Sequence, residues 1–212
     1  MLELIPGILE KEWEAIKEKL ELASQVTNTV HIDIMDGVLT PEKTFLDPQP
    51  FKKYTRSLYL EVHMMVKNPI VYLEQFAQAG FRRFLGHIEM MDSQEEFVAK
   101  AGELGEVGLA FDGLTSISAI NVPIENLDTL LLFTGERIGK SGQSLLPERL
   151  EKISSFHKIH DNLSITVDGG INDKTILQAM HAGASRFVAT SALFHTKDFI
   201  SSYQHMKKSL QY

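Results

Sequence analysis

The chain of 212 residues contains no cysteine. Disulfides, thiolate metal sites and cysteine nucleophiles are therefore excluded, and the absence fits a reducing compartment. An excess of positive charge is also missing. Twenty-one Lys and Arg stand against 28 Asp and Glu, for a formal net charge of −7, with the acids spread along the chain. No basic stripe exists to neutralise a phosphate backbone, so nucleic-acid binding is not expected. No apolar stretch approaches the ~20 residues of a membrane span, and no membrane partner is expected. The opening Met1-Leu2-Glu3-Leu4-Ile5-Pro6 lacks the basic, apolar and small-residue regions of a signal peptide. A cytoplasmic protein is the expectation. Linkers and low-complexity tracts are absent too. With 43% hydrophobic residues, the length suits one domain over residues 1–212 with a large core.

What the chain does contain is a regular alternation. Eight short apolar runs stand out: Leu4–Leu9, Val30–Met35, Tyr59–Val66, Phe84–Glu89, Val107–Phe111, Thr129–Thr134, Ser164–Val167 and Phe187–Thr190. Several are near-continuously apolar, as strands buried on both faces are. Amphipathic helical patterns lie between most of them, at Glu10–Ser24, Ile70–Ala79, Gln94–Leu104, Pro147–His160, Asp173–Ala182 and Asp198–Leu210. Pro147 suits a first helical turn, Asp92 or Ser93 suits a cap, and Gly80, Gly102 and Gly183 sit where helices should stop. Only Phe45–Ser57, rich in Pro and Lys, leaves room for no more than a short helix. Alternating strands and helices give an α/β protein with a parallel sheet, and eight units favour a closed (β/α)8 TIM barrel. The alternative, an open doubly wound sheet, lacks its Gly-x-Gly-x-x-Gly marker.

Chemistry collects at the ends of these runs. Residues two apart on a strand share a face, so His31 and Asp33 point the same way at the end of the second run. His63 holds the equivalent end of the third run, and Asp168 closes the seventh. Active sites of such barrels form at that rim. Singly, each residue reads as a rim or turn side chain; together, two imidazoles and two carboxylates make a ligand set for one divalent metal ion. Mixed nitrogen and oxygen donors suit Zn, Fe(II), Mn or Co and leave the choice among them open. Asp36, before Gly37, reads as a turn residue. His87 and Glu89 point to one face of the fourth run, placed to line the same rim or to be structural. His157, His160, His181, His195 and His205 read as solvated. Two stretches could cradle an anion with backbone N–H groups. One is Gly139-Lys140-Ser141-Gly142-Gln143-Ser144; the other joins Gly169-Gly170 to Thr190-Ser191. The first is not a nucleotide P-loop, since Gly135 stands one residue too close.

These phrases carry a resemblance. Val30-His31-Ile32-Asp33-Ile34-Met35-Asp36-Gly37, Glu61-Val62-His63-Met64-Met65-Val66 with Asn68-Pro69, Gly142-Gln143-Ser144 and Val167-Asp168-Gly169-Gly170-Ile171-Asn172 resemble the ribulose-phosphate 3-epimerase family. Thr44-Phe45, His87 and Ser191-Ala192-Leu193-Phe194 also match. The resemblance implies a divalent metal on His31, Asp33, His63 and Asp168. It implies that Asp33 and Asp168 are the two proton-transfer groups. Met35 and Met65, with His87, match positions lining the reacting centre. His63 and the two glycine-rich stretches match substrate- and phosphate-facing positions. The substrate implied is a small sugar phosphate, most simply ribulose 5-phosphate converted to xylulose 5-phosphate, and a homo-oligomer is expected by analogy.

The chain departs from the family in its substrate-facing loops. Pro6-Gly7-Ile8-Leu9-Glu10 lacks a hydroxyl at Gly7, and Phe111-Asp112-Gly113 and Arg137-Ile138-Gly139-Lys140-Ser141-Gly142 replace family motifs. A Met on the sixth strand is replaced by Thr134, and Thr190 stands where a Gly precedes Ser191. Arg137 and Lys140 are candidates for replacement charge toward an anion. Alternative activities are epimerisation of a hexulose 6-phosphate such as allulose 6-phosphate, and non-catalytic phosphosugar binding. Aldol or decarboxylase chemistry is disfavoured, because the third run has no Asp-x-Lys-x-x-Asp.

Overall fold

In a computed structural model that describes residues 2–211, all eight runs become strands of one closed parallel barrel. They are β1 (Glu3–Ile8), β2 (Thr29–Met35), β3 (Tyr59–Met65), β4 (Arg83–His87), β5 (Glu106–Asp112), β6 (Thr129–Phe133), β7 (Ser164–Asp168) and β8 (Arg186–Ala189). Each pairs with its neighbours in chain order, and β8 closes on β1. Outside lie α1 (Trp13–Ala23), α2 (Ile70–Gln78), α3 (Gln94–Leu104), α4 (Pro147–His157), α5 (Thr175–His181), α6 (Ser191–Phe194) and α7 (Phe199–Ser209). The stretch after β2 holds only a 3₁₀ turn, Gln49–Lys53, as its Pro content predicts. The connection after β5 also lacks an α-helix and has two such turns, Ile117–Ala119 and Ile124–Asn126. Among the described residues no helix is long and apolar enough to cross a membrane.

Strand alternation sorts the side chains. Ile32, Ile34, Leu60, Val62, Met64 and Phe84 face outward and pack with Ile16, Leu20, Leu73, Phe76 and Phe97 of the helices in one continuous core. The other face fills the barrel. Leu85, Ala110 and Leu131 form a small separate apolar cluster there. Toward the amino ends of the strands the filling is charged: Glu61 is fully buried and pairs with Arg83 at 2.6 Å and with Arg186. Arg186 also pairs with Glu3, and Arg83 with Glu106. Removing one member of such a buried network strands an uncompensated charge, at a cost of about 3–5 kcal/mol. Toward the carboxyl ends, beyond the apolar cluster, the inward positions are polar again, and the functional groups lie there.

Several local expectations are corrected. Gly102 does not end a helix; it lies inside α3, and Gly105 caps that helix instead, with Ser93 accepting the Glu96 N–H at its start. Strand β4 stops at His87, so Glu89 is set by the 3₁₀ turn Ile88–Met90 rather than by strand alternation. His157 and His160 are half-buried rather than solvated, His160 with its ring 4.7 Å from that of Phe156. His181, His195 and His205 are exposed as expected. Asp36 is the turn residue its context suggests, accepting the N–H groups of Val38 and Lys67.

A Cβ at Gly102 would meet nothing within 4 Å. Gly102→Ala should therefore raise unfolding stability by about 0.5–1 kcal/mol, through helix propensity alone. Chemical denaturation checks this, and an unchanged or lowered midpoint would contradict the assigned helix interior.

Candidate active site

At the carboxyl rim, His31, Asp33, His63 and Asp168 each offer a ligand atom, and these atoms lie within 4.8 Å of one another. All four residues are buried. The register explains the meeting: Asp33 pairs directly with His63 on the neighbouring strand, and Asp168 ends β7. Asp33 Oδ1 lies 2.8 Å from His63 Nδ1 and 3.4 Å from His31 Nε2, while Asp168 Oδ2 is 3.6 Å from His63 Nδ1. Both aspartates are fixed from behind by threonines. Thr44 Oγ1 donates to the Asp33 carbonyl at 3.1 Å, and Thr134 Oγ1 lies 3.1 Å from the Asp168 carbonyl and 2.6 Å from that of Gly169, where it can donate to either.

The electrostatics suit a cation. Burial works to raise the Asp33 carboxyl, but the imidazoles of His31 and His63 outweigh it and hold it at about 2. Burial likewise disfavours the His31 imidazolium, yet Asp33 and then Glu61 raise it to about 10. Burial also disfavours a charged His63, which Asp168 and Asp33 raise in turn. Glu61 is buried, but Arg186, His31 and Arg83 keep its carboxyl well below the usual range. A carboxylate at Glu61, 2.7 Å from His31 Nδ1, makes that nitrogen the donor. With the ring neutral, as binding an ion requires, the His31 Nε2 lone pair is then aimed at the cluster, and Nε2 has no hydrogen-bond partner in the protein. A buried, unpartnered imidazole nitrogen beside two carboxylates fits a divalent ion, and the carboxylate behind the ring fixes the ligating tautomer.

His87 stands behind this group. Its ring stacks on His63 with centroids 4.8 Å apart. Burial first, and then His63, lower its pKa despite a 2.8 Å contact from Nδ1 to Glu89. His87 is thus held as neutral imidazole. Glu89 is in turn drawn to about 2, where His87, Thr115 and the Asp112 N–H overcome its burial.

Beside the cluster opens a narrow, partly open cavity. Asp33, Asp168 and Met65 form part of its wall, and the two glycine-rich stretches meet across it. Gly139, Lys140, Ser141 and Gly142 line one side, with Gly169, Gly170, Thr190 and Ser191 on the other. The two glycine-rich stretches singled out in the sequence therefore line one cavity. Gly169 and Gly170 are obligatory: their φ angles are +101° and +78°, and a Cβ would stand 2.4 Å from Gly135 N and 2.2 Å from Leu145 N. Successive backbone N–H groups in a turn conformation can form an anion-binding concavity. Met35 stands behind the wall, its sulfur 2.6 Å from where a Cβ on Gly139 would be. Lys140 also approaches Glu42 at 3.8 Å, while Arg137 is exposed and outside the cavity lining.

Thr134, placed on the sixth strand by the sequence, lies one residue beyond it. β6 ends at Phe133, which lines the cavity, and Thr134 turns away to bind backbone carbonyls. Glu61 was not singled out by the sequence reading, although its i−2 spacing from His63 puts it on the same inner face.

Comparison with known proteins agrees with this geometry. A model of the ribulose-phosphate 3 epimerase family matches residues 3–194. The chain belongs to this family. It is 33% identical over 201 residues to the ribulose-phosphate 3-epimerase of Schizosaccharomyces pombe, covering 92% of this chain and 87% of that protein. The ribulose-phosphate 3-epimerase of Chlamydia pneumoniae is 36% identical over 186 residues, covering 84% and 80%. The protein is thus an enzyme of the isomerase class, a racemase or epimerase. Among solved structures, the 3-hexulose-6-phosphate synthase of Salmonella typhimurium superposes with a TM-score of 0.76, covering 99% of both chains. At 13% identity that likeness speaks for the barrel alone.

If Glu61 fixes the ligating tautomer of His31, Glu61→Gln should weaken divalent-ion affinity about 10–100-fold. Chelator competition measures this, and wild-type affinity would contradict the role. Because both imidazoles titrate upward without an ion, binding must displace protons from them. Affinity should rise with pH between 6 and 8, about tenfold per unit for each proton displaced. Isothermal titration in buffers of different ionisation enthalpy counts those protons, and zero would contradict it.

Proposed function

We propose that this protein interconverts ribulose 5-phosphate and xylulose 5-phosphate by proton exchange at C3. The observation that carries the reading is the pair Asp33 and Asp168, from separate strands, bordering one cavity with the left-handed glycine cradle. The backbone N–H groups of that cradle, together with Lys140 and Ser191, would hold the phosphate. Such anchoring fixes the sugar chain against the two acids and converts binding into orientation.

Inversion at C3 needs two groups on opposite faces of a planar intermediate. One aspartate acts as base and takes the C3 proton, and the electron pair moves into the C2 carbonyl to give an enediolate. The other, protonated, delivers a proton to the opposite face of C3. One C–H bond breaks and one forms, so the product is the 3-epimer and the two carboxyls have exchanged protonation state. The cluster His31, Asp33, His63 and Asp168 would hold a divalent ion such as Zn, Fe(II), Mn or Co, supplying Lewis-acid polarisation of the substrate oxygens. His31 and His63, oriented by Glu61 and by the stack on His87, keep the acids apart and aligned. Met65 and Phe133 help exclude water from the reacting carbons.

In deuterated water, the metal-loaded protein should place deuterium at C3 of ribulose 5-phosphate and form xylulose 5-phosphate, as seen by NMR. No exchange refutes the reading. Exchange confined to a hexulose 6-phosphate would move the activity to that substrate. Asp33→Asn and Asp168→Asn should each lower turnover by about 10²–10⁴-fold with circular dichroism unchanged. Substantial activity in either variant sinks the two-acid mechanism.

A further inference from the structure

Gly7 lacks the left-handed backbone that would require glycine, so its missing side chain is a matter of space. Its neighbour in register on β2 is His31, and on the other side β1 pairs Pro6 with Ala189 of β8, which brings Thr190 alongside Gly7. A Cβ on Gly7 would stand 2.6 Å from Thr190 Oγ1 and 2.7 Å from Val188 Cγ1. The Thr190 hydroxyl and Val188 Cγ1 therefore fill the volume that a side chain on β1 would otherwise take. Val188 and Thr190 line the cavity together with Leu9, just beyond the end of β1.

Thr190 is half-buried at the start of α6, and its side chain does not cap that helix. Set in the cavity wall, its hydroxyl is in position to bond a ligand there. Its direction separates it from the phosphate cradle. The next residue, Ser191, faces Gly142, where its Oγ would lie 3.9 Å from an added Cβ. Thr190 instead stands over Gly7, on the side of His31 and the donor cluster.

We propose that Thr190 Oγ1 is a specificity-determining group that hydrogen-bonds an oxygen of the sugar chain, not the phosphate. The two departures at Gly7 and Thr190 are then linked: the hydroxyl lost from β1 is supplied from the end of β8, and the Thr190 side chain in this position needs the bare Cα of Gly7. This assignment rests on the reading of the cavity as a sugar-phosphate site.

Thr190→Val keeps the shape and removes the hydroxyl. It should raise KM for ribulose 5-phosphate about 3–10-fold with a smaller change in kcat, and leave competitive inhibition by inorganic phosphate at its wild-type value. An unchanged KM, or a parallel weakening of phosphate inhibition, overturns the assignment. The steric half has its own measurement. Gly7→Ser should lower both Tm and kcat/KM in the wild-type background, and Thr190→Gly should relieve part of both losses, the remainder coming from Val188 Cγ1, 2.7 Å from the added Cβ. Equal harm in the two backgrounds overturns the coupling. Failure of the wild-type protein to turn over ribulose 5-phosphate overturns the underlying reading, whereas wild-type turnover with an unaltered Thr190→Val overturns only this proposal.

Discussion

Two carboxylates and two imidazoles are forced into one buried knot at the mouth of the barrel, and the rest of the molecule is arranged around that constraint. Like charges about 4 Å apart repel by about 4 kcal/mol even at an effective dielectric of 20. Such a cluster persists only if something positive sits within it. Protons on His31 and His63 do so when no ion is present, which is why both imidazoles titrate upward while Asp33 is pulled down. In the proposed function, a divalent cation held by these four residues would meet the same need with one group. Compensation of crowded charge is thus what stabilises this end of the barrel.

The support for the knot comes from an unusual quarter. The amino-terminal side of the barrel interior is not filled with aliphatic side chains. Glu61 takes Arg83 and Arg186 on one oxygen and His31 Nδ1 on the other. One carboxylate therefore links the structural charge network to the orientation of a candidate ligand. Burying these charges is costly, and a hydrophobic filling could serve stability as well. The arrangement makes sense if the fixed tautomer and position of His31 are what it maintains. On the opposite side, neutral His87 stacks on His63 and hands its own Nδ1 contact to Glu89. Each imidazole that faces the cluster is thus braced by a group that does not.

Much of this was legible in the chain. Eight apolar runs separated by helical periodicity define the barrel, and the parity of strands puts His31 with Asp33 on the inner face. Where reading failed, the cause was local geometry that periodicity does not encode. Phe133 and Thr134 differ by one position, and only the point where β6 ends decides which side chain enters the cavity. Glu89 lies beyond the end of β4, so it reaches His87 through a turn. The stretches around Gly139 and Gly169 look like separate anion sites in sequence, and closure of the barrel brings them to opposite walls of one cavity. Gly7 and Thr190 each look like a lost contact when read singly. Their relation is visible only when β8 is laid beside β1, some 180 residues away in the chain.

The most direct test of the central claim is the coordination shell of the protein loaded with one equivalent of zinc, read by X-ray absorption. Convergence of His31, His63, Asp33 and Asp168 predicts a shell of two imidazole nitrogens with carboxylate oxygens at about 2.0–2.2 Å. A shell built of water alone, or one that keeps both imidazoles after His31 and His63 are replaced by alanine, would contradict it.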